Sequence, residues 1–203
     1  MRTRARTALA VPALSLAAAL AVAAPAAAAD TTQGELTPVP LNGVEGSGTA
    51  MVWVDGTTLN VEVEATGLLA DSPHAAHIHF APDARHECPA ASDDADGSGT
   101  LTTSEGVPAY GSVQVSLTTE GDTSADSALA VDRFDTASGG DIMYERGSIE
   151  VSQEVADAIA GGEAAVVLHG VDYDAAAPTT ATRCPTWTRR CRPRPPTPRC
   201  AGS

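Results

Sequence analysis

The chain has 203 residues, and its 12 basic residues, all arginines, stand against 26 acidic ones. Residues 30–174 hold all 26 acids and only three arginines, a formal charge of −23, whereas the whole chain carries −14. A field of that sign repels polyphosphate and anionic lipid, so this part of the chain is a poor partner for nucleic acid or an anionic membrane surface.

Residues 1–29 have the pattern of a secretory signal peptide. Three arginines precede an apolar stretch, and Ala-Ala-Ala stands before Asp30, which favours cleavage after Ala29. A membrane anchor is the alternative, but Pro12 and Pro25 frame the apolar stretch and small residues end it. No later segment reaches a membrane-spanning length. The sequence therefore predicts a secreted protein in a compartment where disulfides persist.

Residues 30–174 form one predicted domain, large enough to bury a core. Apolar and polar residues alternate with period two over 59–66 and 113–118, and further strands are predicted at 51–54, 75–80, 128–131, 144–151 and 164–169. Many short alternating strands joined by turn residues indicate an all-β sandwich or barrel. The exception is 152–160, where Ser152 precedes one short predicted helix that ends at Gly161-Gly162.

Histidines are concentrated in the middle of this domain. Four of the five fall within residues 74–86, and the fifth, His169, ends the apolar strand 164–168. Alternation along a strand places His77 and His79 on one face, where two imidazoles form half of a copper or zinc site. His86 and His169 are candidates for the remaining ligands, and we expect His77, His79 and His169 to converge. The alternative is a set of polar residues on the wet face of a sheet.

Residues 94–105 match the spacing of a calcium-binding loop. Gly99 stands at position 6, and Thr100 is placed to offer its carbonyl, Thr102 to act through water, and Glu105 to bind with both oxygens. No helical pattern flanks the loop, and the alternative is a solvated acidic turn. The sequence predicts a weak calcium site, of ~10⁻⁴–10⁻³ M. Its predicted ligands are Asp94, Asp96, Ser98, Thr100, Thr102 and Glu105.

The C-terminal tail, residues 175–203, has six prolines, six arginines and no acid. This composition predicts a basic, disordered extension. The second interpretation, which we favour, is a frameshift, because a shifted frame can give an acidic segment ending Ala-Leu-Cys-Gly if the codons are GC-rich. Cys88 is the only cysteine of the domain, and a disulfide is predicted to one of the tail cysteines rather than a buried unpaired thiol. The tail cysteines are Cys184, Cys191 and Cys200.

From about residue 35 to 174 the order of these motifs resembles that of a bacterial secreted chordin-type (CHRD) domain protein. The resemblance is carried by the segments 74–79, 88–89, 94–105, 105–111, 121–124 and 167–172. Such domains are similar in outline to the copper/zinc superoxide dismutases, which are Greek-key β-sandwiches. The resemblance implies this fold, with His77, His79 and His169 as copper ligands and Cys88 in a disulfide.

The sequence also departs from the dismutase pattern. The bridging histidine of that family would fall near Asp94, and no histidine lies between His86 and His169 to build a zinc site. A charge of −23 opposes the approach of superoxide unless a local positive funnel exists. The only cations available for a funnel in the domain are Arg85, Arg133 and Arg146.

Two functions follow from these observations. The first, which we favour, is a secreted, non-catalytic binding module whose partners are metal ions, with a calcium loop and a copper-type histidine cluster. The second is a copper-only superoxide dismutase that uses His77, His79, His169 and His86.

Overall fold

The structure, a computed structural model, describes residues 29–170 and 183–189. Within these ranges it has two α-helices, α1 (Thr103–Tyr110) and α2 (Gln153–Gly161), neither long and apolar enough to cross a membrane. The strands in the same ranges are β1 (Asp30–Pro38), β2 (Ser47–Asp55), β3 (Thr58–Thr66), β4 (Ala76–Phe80), β5 (Ser112–Ser116), β6 (Ile142–Glu150), β7 (Ala165–Leu168) and β8 (Arg183–Arg189).

The strands pair antiparallel in the order β5-β4-β7-β8-β1-β2-β3-β6. A single residue pair, Leu168 with Arg183, joins β7 to β8. The strands therefore divide into two sheets, β5-β4-β7 and β8-β1-β2-β3-β6, whose apolar side chains meet in one core. The predicted all-β sandwich is confirmed.

Strand β3 shows why the sequence folds this way. Leu59, Val61, Val63 and Ala65 are at most 1% exposed, while the residues between them face solvent, as the alternation predicts. The core that they enter also contains Ile78 of the opposite sheet. Burying an aliphatic side chain of this size contributes about 1.5–3 kcal/mol, so one face of each strand is driven inward.

The predicted helix after β6 is confirmed as α2. The Ser152 side chain accepts the Val155 backbone N–H at 3.2 Å, and the helix ends at Gly162, whose φ of 79° is left-handed. Val155, Ala158 and Ile159 of its inner face are buried in the main core. The helix is stable because both of its ends are capped and its apolar face packs against the core of the sandwich.

The expectation of one helix is wrong, because α1 is a second. Thr102 and Glu105 form a reciprocal capping box at its start. The predicted strand at 128–131 is also wrong, because those residues lie in a loop with 3-10 turns at Ala125–Ser127 and Val131–Arg133. That loop is held by Arg133, which donates to the Ser127 hydroxyl at 2.8 Å. Hydrogen bonds from side chains to the loop prevail there over local strand preference.

Strand β8 lies inside the tail, for which the composition predicts disorder. It pairs along β1 from Arg183, opposite Pro38, to Arg189, opposite Thr32. A strand edge offers unpaired backbone N–H and C=O groups, so it can order a segment that has little apolar surface. The predicted signal peptide, apart from Ala29, and residues 175–182 and 190–203 of the tail lie outside the described residues.

Candidate metal centre

Three histidines lie together on the face of the β5-β4-β7 sheet that points away from the main core. His77 and His79 belong to β4, and His169 directly follows β7. The antiparallel register sets His77 opposite Val167, and the His169 backbone N–H donates to the Ala75 carbonyl at 2.7 Å. This pairing brings His169 beside His77 from a distant part of the chain, as expected.

The three rings pack against one another. The ring centroids of His77 and His169 are 4.8 Å apart, and each of these rings lies 5.6 Å from that of His79. One ring nitrogen from each histidine lies within 4.8 Å of the other two. The sequence therefore identified three side chains that the fold assembles into one potential metal-binding group.

The histidine group is covered by side chains from other parts of the chain. Tyr110, at the end of α1, packs edge-on against His79 with a centroid distance of 4.6 Å. Phe134 packs edge-on against His77 at 5.3 Å. His77 and His79 are at most 4% exposed, so the alternative that they line a wet sheet face is wrong.

Backbone carbonyls determine which nitrogen of two rings carries the hydrogen. His77 Nε2 lies 3.1 Å from the Ala128 oxygen, and His79 Nδ1 lies 3.0 Å from the Gly111 oxygen. A carbonyl oxygen only accepts, so these nitrogens donate and the lone pairs remain on His77 Nδ1 and His79 Nε2. Both of these atoms, and His169 Nε2, are buried without a hydrogen-bond partner. A buried polar atom left in this state is costly unless a ligand satisfies it.

Burial also keeps the three rings uncharged. Desolvation lowers the pKa of His77 to about 4 and that of His79 to about 4. The pKa of His169 falls to about 3, first through desolvation and then through repulsion from the other two rings when they are charged. All three are neutral at neutral pH, which is the form of imidazole that binds a metal ion.

The other two histidines lie outside this group. His74 is buried, and each of its ring nitrogens lies 3.3 Å from a backbone carbonyl, one of them that of His169. His86, the predicted fourth candidate, has its Nε2 at 2.9 Å from the Ala81 oxygen, and its ring stacks on Phe80. His74 therefore stabilises the backbone at His169, and His86 stabilises the loop after β4.

A second potential metal-binding group lies in residues 94–105, the predicted calcium loop, which we call the acidic loop. Carboxylate oxygens of Asp94, Asp96 and Glu105 lie within 4.8 Å of one another. The Asp94 carboxylate accepts the Ser98 backbone N–H at 3.0 Å, and Glu105 accepts that of Ala95 at 3.0 Å. The backbone bond from Ser98 is the main cause of the lowered pKa of Asp96. These bonds bring the first, third and last positions of the predicted calcium loop together.

The three remaining predicted ligands are engaged in local hydrogen bonds. The Ser98 hydroxyl donates to the Thr100 carbonyl at 3.1 Å. The Thr102 backbone N–H and hydroxyl both donate to Glu105 Oε2, at 2.9 and 2.7 Å, and the backbone bond is the main cause of the lowered pKa of Glu105. Helix α1 therefore starts inside the loop, and the expectation that no helix flanks it is wrong.

Four residues that surround the histidine group were not predicted for it, namely Tyr110, Gly111, Ala128 and Phe134. Tyr110 and Gly111 could have been predicted, because the capping-box spacing of Thr102 and Glu105 signals a helix, and that helix ends at these two residues. Ala128 and Phe134 come from the loop after β5, and no local pattern in the sequence predicts which strand that loop covers.

The three arginines of residues 29–170 are each bound to nearby groups of the protein. Arg85 forms ion pairs with Glu87 at 2.5 Å and Asp93 at 2.6 Å. Arg133 and Arg146 donate to carbonyls and hydroxyls of the loop after β5 and of its flanking residues. Their guanidinium groups therefore stabilise loops.

Cys88 is half-buried and packs against a small buried cluster formed by α1 and β7. Two of its predicted partners, Cys191 and Cys200, lie outside the described residues, and of Cys184 only the backbone within β8 is described. The disulfide stays a prediction.

The fold and this geometry define a class of protein, a β-sandwich that carries a buried group of three neutral histidines. The model of the CHRD domain family matches residues 26–177, which is most of the chain. The chain therefore belongs to the CHRD domain family. No match to a curated protein or to a solved structure was found. The relationship to superoxide dismutases stays a prediction.

Proposed function

We propose that this CHRD-domain protein is a secreted, non-catalytic binding module that holds a copper-type metal ion at His77, His79 and His169. The observation that carries the proposal is the set of buried ring nitrogens without hydrogen-bond partners in these three side chains. One metal ion would satisfy all three at once, and imidazole nitrogen is a preferred ligand of copper and zinc. Secretion is proposed from the signal-peptide pattern of residues 1–29.

The donor set suits a transition metal better than a hard cation. Calcium and magnesium require several oxygen ligands, whereas the three histidines offer neutral nitrogen atoms. The Ala128 and Gly111 carbonyls hold the outer nitrogens of His77 and His79, as outer partners commonly do for metal-binding histidines. Copper, when bound, would supply one-electron redox chemistry, while the protein supplies orientation and an apolar cover.

Two observations favour a binding module over a dismutase. Arg85, Arg133 and Arg146 are bound into loops, and residues 30–174 carry −23, so electrostatic steering of a small anion is opposed. Tyr110 and Phe134 pack on the rings, and His86, which could have acted as a proton donor, bonds to its own loop. The metal-ligand residues are present without the surroundings that dismutation requires.

We further propose that the acidic loop binds calcium. The carboxylates of Asp94, Asp96 and Glu105 repel one another at their observed separation, and a divalent cation would remove that repulsion. Each carboxylate oxygen has a second lone pair, so the bonds to backbone N–H groups leave capacity for a cation. The expected affinity is weak, ~10⁻⁴–10⁻³ M.

Copper titration of the chelator-treated protein tests the histidine site. We expect one equivalent to bind the wild type and none to bind the double variant His77→Ala, His79→Ala. His86→Ala is the matched control and should bind like the wild type. Metal analysis of protein purified without chelators then identifies the ion. A wild type that binds neither copper nor zinc would refute the proposal.

The dismutase alternative is tested separately by cytochrome c competition on copper-loaded protein. We expect no copper-dependent activity. Strong activity that disappears in the His77→Ala, His79→Ala variant would establish the dismutase function instead.

Calorimetric titration with calcium tests the acidic loop. Heat is expected at millimolar calcium in the wild type and not in Asp94→Asn, Asp96→Asn, which leaves the helix cap at Glu105 intact. Asp83→Asn, an exposed carboxylate outside the loop, is the control. Equal heats in all three proteins would show that the loop is a solvated turn.

A further inference from the structure

The histidine group offers a metal ion three nitrogen ligands and no negative charge. Its members are His77, His79 and His169, and no carboxylate or thiol of the described residues belongs to it. The pKa values of the three rings are shifted by burial, by backbone carbonyls and by one another, and no carboxylate of residues 29–170 is among the causes. The charge of a bound ion would therefore not be neutralised by its ligands.

The polar side chains around the group are engaged elsewhere. The Tyr110 hydroxyl donates to the Thr103 carbonyl at 3.1 Å, and both ring nitrogens of His74 lie 3.3 Å from backbone carbonyls. His86 Nε2 lies 2.9 Å from the Ala81 oxygen. Within residues 29–170 these contacts leave the group with three protein ligands rather than four.

Aromatic side chains also shield the group from water. Tyr110, which is 1% exposed, packs on the His79 ring, and Phe134, which is 4% exposed, packs on the His77 ring. His169 is half-buried as a residue, but its Nε2 atom is buried. Water molecules therefore have little access to the three nitrogens as additional ligands.

These surroundings affect monovalent and divalent ions differently. The cost of moving an ion from water into a medium of low dielectric rises with the square of its charge, so it is about four times larger for a divalent ion than for a monovalent one of equal size. Copper(II) and zinc(II) sites also usually have four or more ligands, including water or anionic groups. Three neutral nitrogens under an apolar cover penalise both divalent ions more than copper(I).

We propose that the histidine group, under its cover of Tyr110 and Phe134, selects copper(I) over copper(II) and zinc(II). The inference rests on the proposed function, because it specifies which ion the same three side chains hold. We expect copper(I) to bind roughly a thousandfold more tightly than either divalent ion. A site that holds one oxidation state so strongly suits a binding module, since a dismutase must bind copper in both.

Equilibrium dialysis of the full chain measures this preference. The protein is dialysed against copper(I) buffered by bicinchoninate, with ascorbate under nitrogen, or against copper(II) or zinc(II) buffered by nitrilotriacetate, and the retained metal is quantified. The variant His77→Ala, His79→Ala is dialysed in parallel and its metal is subtracted, so ions held by cysteines or by the acidic loop cancel. We expect half-saturation of the difference at a free copper(I) concentration roughly a thousandfold below that of either divalent ion.

The cover is tested by Phe134→Ala, which exposes His77 to water. We expect this variant to reduce the preference for copper(I) over copper(II) by roughly tenfold or more, because water can then complete the coordination of the divalent ion. Leu129→Ala is the matched control, since Leu129 lies in the same loop but is 90% exposed, and it should leave the preference unchanged.

Two results would overturn the proposal while metal binding by the histidines stands. One is a wild type that prefers copper(I) to either divalent ion by less than about tenfold. The other is an unchanged preference in folded Phe134→Ala, and the wild-type comparison decides alone if that variant does not fold. A histidine group that retains none of the three ions would instead overturn the proposed function together with this inference.

Discussion

Acidification of the metal-free protein is expected to destabilise it through the buried histidines. The unfolded chain has histidine pKa values near 6.5, whereas His77 and His79 in the fold have pKa values of about 4. Between these values the unfolded chain takes up protons that the folded protein does not. Stability is therefore complete above about pH 6.5 and falls as the pH is lowered towards about 4.

The size of the effect follows from the same pKa values. One pKa unit corresponds to 1.36 kcal/mol, so at about pH 4.5 each of the two rings lowers the free energy of unfolding by roughly 2–3 kcal/mol. His169, with a pKa of about 3, acts in the same direction. For His77 and His79 together the loss is about 5 kcal/mol, which is a large part of the ~5–15 kcal/mol that stabilises a typical domain.

Urea unfolding followed by tryptophan fluorescence, in steps from about pH 7 to 4.5 after chelator treatment, measures this loss. Carboxylates begin to titrate at the lower end of this window, so the histidine contribution is read from the difference between the wild type and a variant that keeps every carboxylate. The control His86→Gln should show the same slope as the wild type, and His77→Gln, His79→Gln a much smaller one. A wild-type stability that stays constant over the window would refute the assignment of these rings as buried and neutral.

Three further substitutions test the packing around the site and core. Gly106→Ala places a methyl group against the Tyr110 ring, so we expect a loss of ~1–3 kcal/mol and weaker copper binding; an unchanged titration would separate Tyr110 from the site. Thr102→Ala removes the N-cap of α1 and should lower the free energy of unfolding, measured in urea, by ~1 kcal/mol. An unchanged free energy of unfolding would show that the cap does not stabilise the helix. Ile159→Ala, fully buried, should cost ~2–5 kcal/mol in thermal or urea unfolding, and a loss below ~1 kcal/mol would contradict the packing of α2.

Much of the fold could be predicted because its signals are local. The period-two pattern of β3 and the capping residue Ser152 of α2 depend on neighbours within a few positions of the chain. Helix α1 was missed although its capping box is also local, because Thr102 and Glu105 fit the spacing of a calcium loop equally well. The predicted strand at 128–131 failed because hydrogen bonds from Arg133 and the loop residues override local preference.

The sequence alone established that His77 and His79 share one face of a strand, since alternation follows from backbone geometry. Only the tertiary structure decided that His169 joins them, because this depends on the pairing of β4 with β7 across a long stretch of chain. It also decided the burial of the rings and the carbonyl partner of each, supplied by residues Gly111 and Ala128. Local patterns specify which way a side chain points, but its solvation, protonation and neighbours depend on which distant segments pack against it.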